Sequence, residues 1–297
     1  MIPPAIFGLL AALFWGTTDF ISRHPTRKIG YGYSTAYMQL FSLIGFSTFI
    51  LITGVPSLEL LSKGANFVLL DLIVGALNVI GLILLYRAFS IGNMSLTAPI
   101  AGSFPIFTIL LGFVILGQGI GFEKGIAIAI VIFGVLLSGV APGPDASSNV
   151  GQVQKKRSSS GVVSALFASI LFGAAYLGLN YGASYFGSVL SVWLVRIGAV
   201  LFCFPFFLLT MKKLVLPKDG AWKWLLAMAA LDSGGFTALT LGYIYSGNSP
   251  AIVTTLSSLL GAVTTILATT IYKDKLTKIQ VVGIVILFLG VIIVLNV

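Results

Sequence analysis

Apolar runs of about 20 residues alternate with short polar or charged connections along the whole chain, the length a helix needs to cross a hydrocarbon core of about 30 Å. They lack the period-two alternation, over about ten residues, of an outer-membrane barrel strand. The pattern predicts membrane-spanning helices at residues 4–22, 33–54, 66–88, 94–116 and 121–140, then 161–184, 188–210, 221–243, 249–271 and 278–296. Between the fifth and sixth lies a stretch with APGPD, SSN and QKKRSSS, too polar and too rich in Pro, Gly and Ser to stay in lipid. The expected organisation is therefore a five-span half (1–140), a cytoplasmic polar linker (141–160) and a second five-span half (161–297).

The two halves repeat one another. At a shift of 155, Gly92-Asn93 falls on Gly247-Asn248 and Ser103 on Ser258. At 156, Ile128, Ile130, Gly134 and Val135 fall on Ile284, Ile286, Gly290 and Val291; at 157, Leu9, Ala11 and Gly16 fall on Leu166, Ala168 and Gly173. Because each half has an odd number of crossings, the second copy enters the bilayer from the opposite side. An all-α membrane protein of ten transmembrane helices, arranged as two five-helix inverted repeats, is expected, with any solute site near the midplane where the repeats meet.

Composition agrees with this class: 58% of the 297 residues are hydrophobic and 8% charged, where soluble domains carry about 25% charged residues. The net charge of +9 comes from clusters between spans, so nucleic acid is not an expected partner. Odd-numbered connections hold Arg23, Arg27, Lys28, Arg87, Lys155, Lys156, Arg157, Lys212, Lys213, Lys218, Lys223, Lys273, Lys275 and Lys278; even-numbered ones hold Lys63 and Lys124. The positive-inside rule places the odd connections in the cytoplasm and both chain ends outside. Cys203, the single cysteine, sits in an apolar run and reads as packing. The first segment lacks a basic n-region and a cleavage site and reads as a retained span.

The chain resembles the EamA-like, ten-helix branch of the drug/metabolite transporter superfamily over nearly its whole length. The resemblance is carried by Trp15-Gly16 in the first span, the Gly-Asn pairs before spans four and nine, Pro99 and Pro105 in span four, and YKDKLT (Tyr272 to Thr277) followed by GIVILFLGVII. Asp274 stands where the family usually has Glu, and Gln118 at the corresponding place in the first half. The resemblance implies transport of small metabolites in the plasma membrane, often export of amino acids, and in a neighbouring branch uptake of sugars. Well-known members keep both ends cytoplasmic, opposite to the charge distribution here.

Polar side chains within spans mark candidate contacts for a solute: Trp15, Asn78, Ser103, Tyr176, Asn180, Arg196, Asp232, Ser233 and Ser258. Asp232, about eleven residues into span eight, is the candidate for contact with the solute or a coupling proton; its alternative is a structural pair with Arg196. Asn78 with Ser233 and Ser103 with Ser258 are expected at one depth, related by 155. Asp19 reads as a helix-end carboxylate paired with Arg23, with a coupling site as its alternative, and Asp71 as interfacial. Trp222, Trp224, Tyr31 and Tyr33 read as interface anchors, and Gly125, Gly134, Gly139, Gly283 and Gly290 as close packing of spans five and ten.

The chain has no phosphate-cradling Gly-x-x-x-x-Gly-Lys-Ser/Thr loop, one histidine (His24) and no Cys/His cluster. No cofactor, metal centre or enzymatic activity is expected. Three classes stand at this point: a secondary carrier, an intramembrane enzyme, for which Asp19 and Asp232 are weak candidates, and a non-transport membrane protein. The carrier is favoured, as monomer or homodimer in a lipid bilayer, with amino-acid or related metabolite export first, monosaccharide uptake second, and protons as a candidate coupling ion. Orientation is testable in a Cys203→Ser background with single cysteines at Ser57 and Ser148. A membrane-impermeant thiol reagent on intact cells is expected to label position 57 and spare 148; the reverse overturns the topology.

Overall fold

The computed structural model describes residues 3–54, 58–117, 121–138, 149–210, 215–217, 220–246 and 250–296. The helices are α1 (Pro4–Ile29), α2 (Tyr31–Thr53), the short α3 (Leu58–Lys63), α4 (Ala65–Ile91), α5 (Met94–Ala101), α6 (Phe104–Leu116), α7 (Phe122–Ser138), α8 (Asn149–Phe186), α9 (Ser188–Thr210), α10 (Ala221–Ser246), α11 (Pro250–Ser258), α12 (Leu260–Ile271) and α13 (Lys278–Asn296). With α5–α6 and α11–α12 each forming one interrupted span, these are the ten expected crossings. Eight are long and apolar enough to span by length and composition. The other two, α7 and α13, close each half and pack on each other.

Two expected boundaries move by more than a turn. α1 runs seven residues past its expected end at 22, through Pro25 to Ile29, and stops at Gly30, whose φ of 87° leaves the helical region. α8 begins at Asn149, so residues 149–160 of the expected linker are helical; 141–148, with Ser148, and 55–57, with Ser57, lie outside the described residues.

Spans four and nine are interrupted at Gly102-Ser103 and at Leu259. Pro105 lacks an N–H and so suits the first turn of a new helix. Span nine reaches the same result without proline: Ser257 and Ser258 donate to the carbonyls of Thr254 and Thr255 at 2.6 and 2.7 Å, the back-bonding that bends helices. The breaks meet, since a Cβ on Gly102 would lie 2.9 Å from the Ser258 carbonyl, and one on Gly261 would lie 2.9 Å from that of Ala98.

The repeat is explicit in these contacts. Gly16 of α1 lies against Val263 and Leu260, and Gly173 of α8 against Phe107 and Phe104, with Cβ positions 2.9 Å from the Leu260 and Phe104 carbonyls. Thr264 donates to the Gly16 carbonyl and Thr108 to that of Gly173, both at 3.1 Å. Every partner here maps onto its image at 157 (Gly16 to Gly173) or 156 (Thr108 to Thr264). Along α4 and α10 the shift is 154: Gly81 receives Phe172 as Gly235 receives Trp15. The expected pairings at 155 are thus corrected. The image of Asn78 is Asp232 rather than Ser233, and the image of Ser103 is Leu259 rather than Ser258. One-residue slips of this kind are invisible in a Gly/Ala/Leu-rich alignment but rotate a helix by about 100°.

The first, third and ninth connections meet on one face. Arg23 pairs with Asp274 at 3.4 Å and lies 4.2 Å over the Tyr272 ring. Ser95 donates to Asp274 at 3.3 Å and Asn93 to the Lys275 carbonyl at 3.1 Å, while His24 stacks on Trp224. This corrects the pairing of Asp19 with Arg23, whose partner is Asp274. Asp71 is also corrected: it is buried against Gly182 rather than interfacial. Tyr33 is buried on Phe207 rather than at an interface, whereas Trp222 and Trp224 are exposed. Gly134 packs on Leu287 and Gly283 as expected, but Gly125 faces open space, and Gly139 lies outside the described residues. Cys203 is buried among apolar residues.

These contacts predict that Gly16→Ala and Gly173→Ala, each forcing a Cβ within 3 Å of a backbone carbonyl, destabilise the detergent-solubilised protein by about 1–3 kcal/mol. Gly45→Ala in α2, whose Cβ meets nothing within 4 Å, is expected to leave the thermal midpoint unchanged or raise it.

Candidate functional site

Between the halves, α2 and α9 place Gln39 and Arg196, which are images of each other at 157, directly in contact: Arg196 Nη1 donates to Gln39 Oε1 at 2.7 Å. A residue that touches its own image lies on the pseudo-two-fold axis, so this bond marks the centre of the molecule. Arg196 is wholly buried, and its Nη2 lies 2.7 Å from Asp232 Oδ2 on α10. The guanidinium carbon sits 4.3 Å from the Phe236 ring centroid, one turn along α10 from Asp232. Burying a guanidinium is tolerable only with such a set of partners: a carboxylate, an amide oxygen and an aromatic face.

Aromatic side chains wall this centre. Trp15 of α1 stacks on Tyr176 of α8, centroids 5.3 Å apart, and meets Phe236 edge-on at 5.2 Å. Gly235 makes room for the indole, since a Cβ there would lie 2.5 Å from Trp15 Nε1. Tyr86 of α4 donates to the Met38 sulfur, and its phenol, like that of Tyr176, lies in the field of Asp19, Asp232 and Arg196.

Polar valences remain open here. The indole N–H of Trp15 approaches Asp232 without closing a hydrogen bond. The Arg196–Asp232 contact is close but not aligned as a hydrogen bond, and Arg196 Nε, Gln39 Nε2 and Asn78 Oδ1 have no partner among the described residues. Buried groups of this kind are ordinarily satisfied, so donors and acceptors clustered without partners suit a polar guest.

Of the residues picked out from sequence, Trp15, Tyr176, Arg196 and Asp232 come together at this centre, and Asn78 is the image of Asp232 on the other side of the axis. Ser103 and Ser258 lie at the helix breaks with their hydroxyls bonded to Ile100 and Thr255 carbonyls, Ser103 also to Ser169. Asn180 and Ser233 are half-buried. Sequence reasoning missed Gln39 and Phe236, and set Asp19 aside. The signal for Gln39 was present: it aligns with Arg196.

Removing one member of the ion pair strands the other. Arg196→Met is expected to destabilise the protein by about 3–5 kcal/mol, and Arg196→Met with Asp232→Leu to recover most of the loss. Thermal unfolding of the single and double variants in detergent checks this; equal destabilisation by both would show that the pair is not coupled.

The EamA-like transporter family model matches residues 2–140 and again 159–296. Among curated proteins none matches the chain. A solved structure described as "Crystal structure of protein" is similar in fold, with a TM-score of 0.66 at 14% identity, covering 98% of this chain and 95% of that one. Matched by the family model through both halves, this multi-pass membrane protein belongs to the EamA-like transporter family, whose members are membrane transporters of small molecules.

Proposed function

We propose that the protein exports small zwitterionic metabolites, amino acids first, across the plasma membrane by alternating access, holding the solute at the Arg196–Asp232 centre. The observation that carries this reading is a buried pair of opposite charges, 2.7 Å apart yet not aligned as a hydrogen bond. A zwitterion brings the complementary pair. Its carboxylate suits Arg196 and the free Nε2 donor of Gln39, and its ammonium suits Asp232 and the free Asn78 Oδ1. A monosaccharide offers neither charge, and one face of the Trp15 ring is already taken by Tyr176. The position on the axis supports alternating access, because a group at the centre of an inverted repeat keeps its surroundings when the two halves exchange conformations.

Proteoliposomes preloaded with unlabelled amino acids are expected to take up a radiolabelled mixture of the common amino acids by counterflow, and those preloaded with glucose not to take up labelled glucose. Asp232→Asn, inserted normally, is expected to slow amino-acid exchange at least tenfold, about 1.4 kcal/mol on the barrier. Counterflow of glucose without amino acids overturns the substrate class; a wild-type rate in Asp232→Asn removes Asp232 from the site.

A further inference from the structure

Asp71 of α4 is fully buried, and no hydrogen bond or ion pair among the described residues reaches either of its carboxylate oxygens. Its surroundings come from two other helices. A Cβ on Gly182 of α8 would overlap Asp71 Oδ1, so the carboxylate presses on the backbone of that helix. α9 runs along the same stretch of α4 at backbone distance: a Cβ on Gly75 would overlap the Val195 carbonyl, and one on Gly198 the backbone of Leu72. One turn further on, Val79 packs with Ala199 and Cys203, so α4 and α9 run in the same direction. One turn back from Gly75 and Val195, Asp71 is therefore level with Ser191, whose hydroxyl approaches the carboxylate. Ser191 is also fully buried, and its Oγ likewise closes no hydrogen bond among the described residues.

The other half of the chain serves as an internal comparison. Asp71 corresponds at 154 to Leu225, and Gly182 and Ser191 correspond at 157 to Pro25 and Ser34. There Leu225 packs among Ile29, Tyr33 and Tyr37, and Ser34 turns its hydroxyl back onto its own helix, donating to the Gly30 carbonyl at 2.8 Å. Packing at this point is thus achieved with apolar groups alone. A carboxylate, a glycine that admits it and a hydroxyl turned away from its own helix answer to something other than packing. A buried carboxylate with no positive partner is costly, and buried oxygens that adjoin without bonding to one another are arranged as ligands around an ion.

We propose that Asp71 and Ser191 bind a sodium ion where α4, α8 and α9 meet, supplying three oxygens of its shell. Hard cations take oxygen ligands. One carboxylate balances one positive charge, whereas a divalent ion would leave an uncompensated charge within the span. The close backbone approaches at Gly75, Gly182 and Gly198 favour a small ion over potassium. Such a site needs no cluster of His, Cys or several carboxylates, and none occurs among the described residues. Along α4 it is seven residues, about 10 Å, from Asn78, and it does not depend on which solute the Arg196–Asp232 centre holds. Because α4 belongs to the first half and α8 and α9 to the second, the ion ties the halves together and stabilises the conformation in which its ligands converge.

Thermal unfolding of the solubilised protein, followed by tryptophan fluorescence at constant total salt, tests the site without any solute. Replacing choline chloride by sodium chloride is expected to raise the wild-type midpoint by several degrees in a saturable way, and potassium chloride to raise it less. Asp71→Asn is expected to abolish the response and Ser191→Ala to move its half-saturation to several-fold higher sodium. Ser34→Ala, the corresponding change in the other half, is expected to leave the response as in the wild type. A wild-type midpoint indifferent to sodium overturns the site, including the case in which it responds to pH alone, which would assign the charge facing Asp71 to a proton. A sodium response unchanged in both Asp71→Asn and Ser191→Ala places the ion elsewhere and overturns it as well; if Asp71→Asn does not fold, Ser191→Ala decides alone. An equal rise with potassium overturns the assignment to sodium.

Discussion

The hydrogen bond between Gln39 and Arg196 is the constraint around which the molecule is arranged. It joins the two halves at equivalent residues, so each half must approach the other in the same way, and the rest of the packing follows in pairs. An arginine at that place has no water to solvate it. It therefore requires Asp232 from α10 and the face of Phe236, and Gly235 leaves room beside them for the Trp15 indole that stacks on Tyr176. One charge thereby draws α2, α9, α10, α1 and α8 to a common point.

Small residues permit this convergence. Between helices in lipid the hydrophobic effect contributes little, and association depends on close van der Waals contact. At Gly16 and Gly173 that contact is a backbone-to-backbone approach, reinforced in each half by a threonine hydroxyl bonded across the interface. The same residues that bring the backbones together thus fix the register between spans, and the register decides which polar side chains face the axis.

The class, the ten spans and the inverted repeat were legible in the sequence because lipid imposes a length and a hydropathy that survive any detail of packing. Arg196 and Asp232 were legible because a charge inside a span has few explanations. What the sequence hid was register. A shift of 155 matches residues by identity, but packing sets 157 for the first span, 156 for the fourth and 154 for the third, and the relation of Asn78 to Asp232 appears only at the last. Asp19 was misread for a related reason. The hydropathy of span one fades near residue 22 while its helix continues to Ile29, so a residue that looked terminal lies close to the helix middle.

The two faces of the carrier are not equivalent, and the difference is one of charge. On the basic face Arg23, Asp274 and Ser95 stitch α1, α5 and the loop before α13 together. At the equivalent positions of the other repeat the sequence has Asn180 for Arg23 and Gln118 for Asp274, which carry no charge. Two conformations that a perfect repeat would relate by a two-fold rotation therefore differ in energy, by whatever that stitch contributes when formed. A solute arriving from the disfavoured side meets a binding-competent state only part of the time, which weakens its apparent affinity by that fraction. One and the same pocket then presents a different affinity to each compartment, and added salt, which screens exposed charge, narrows the gap.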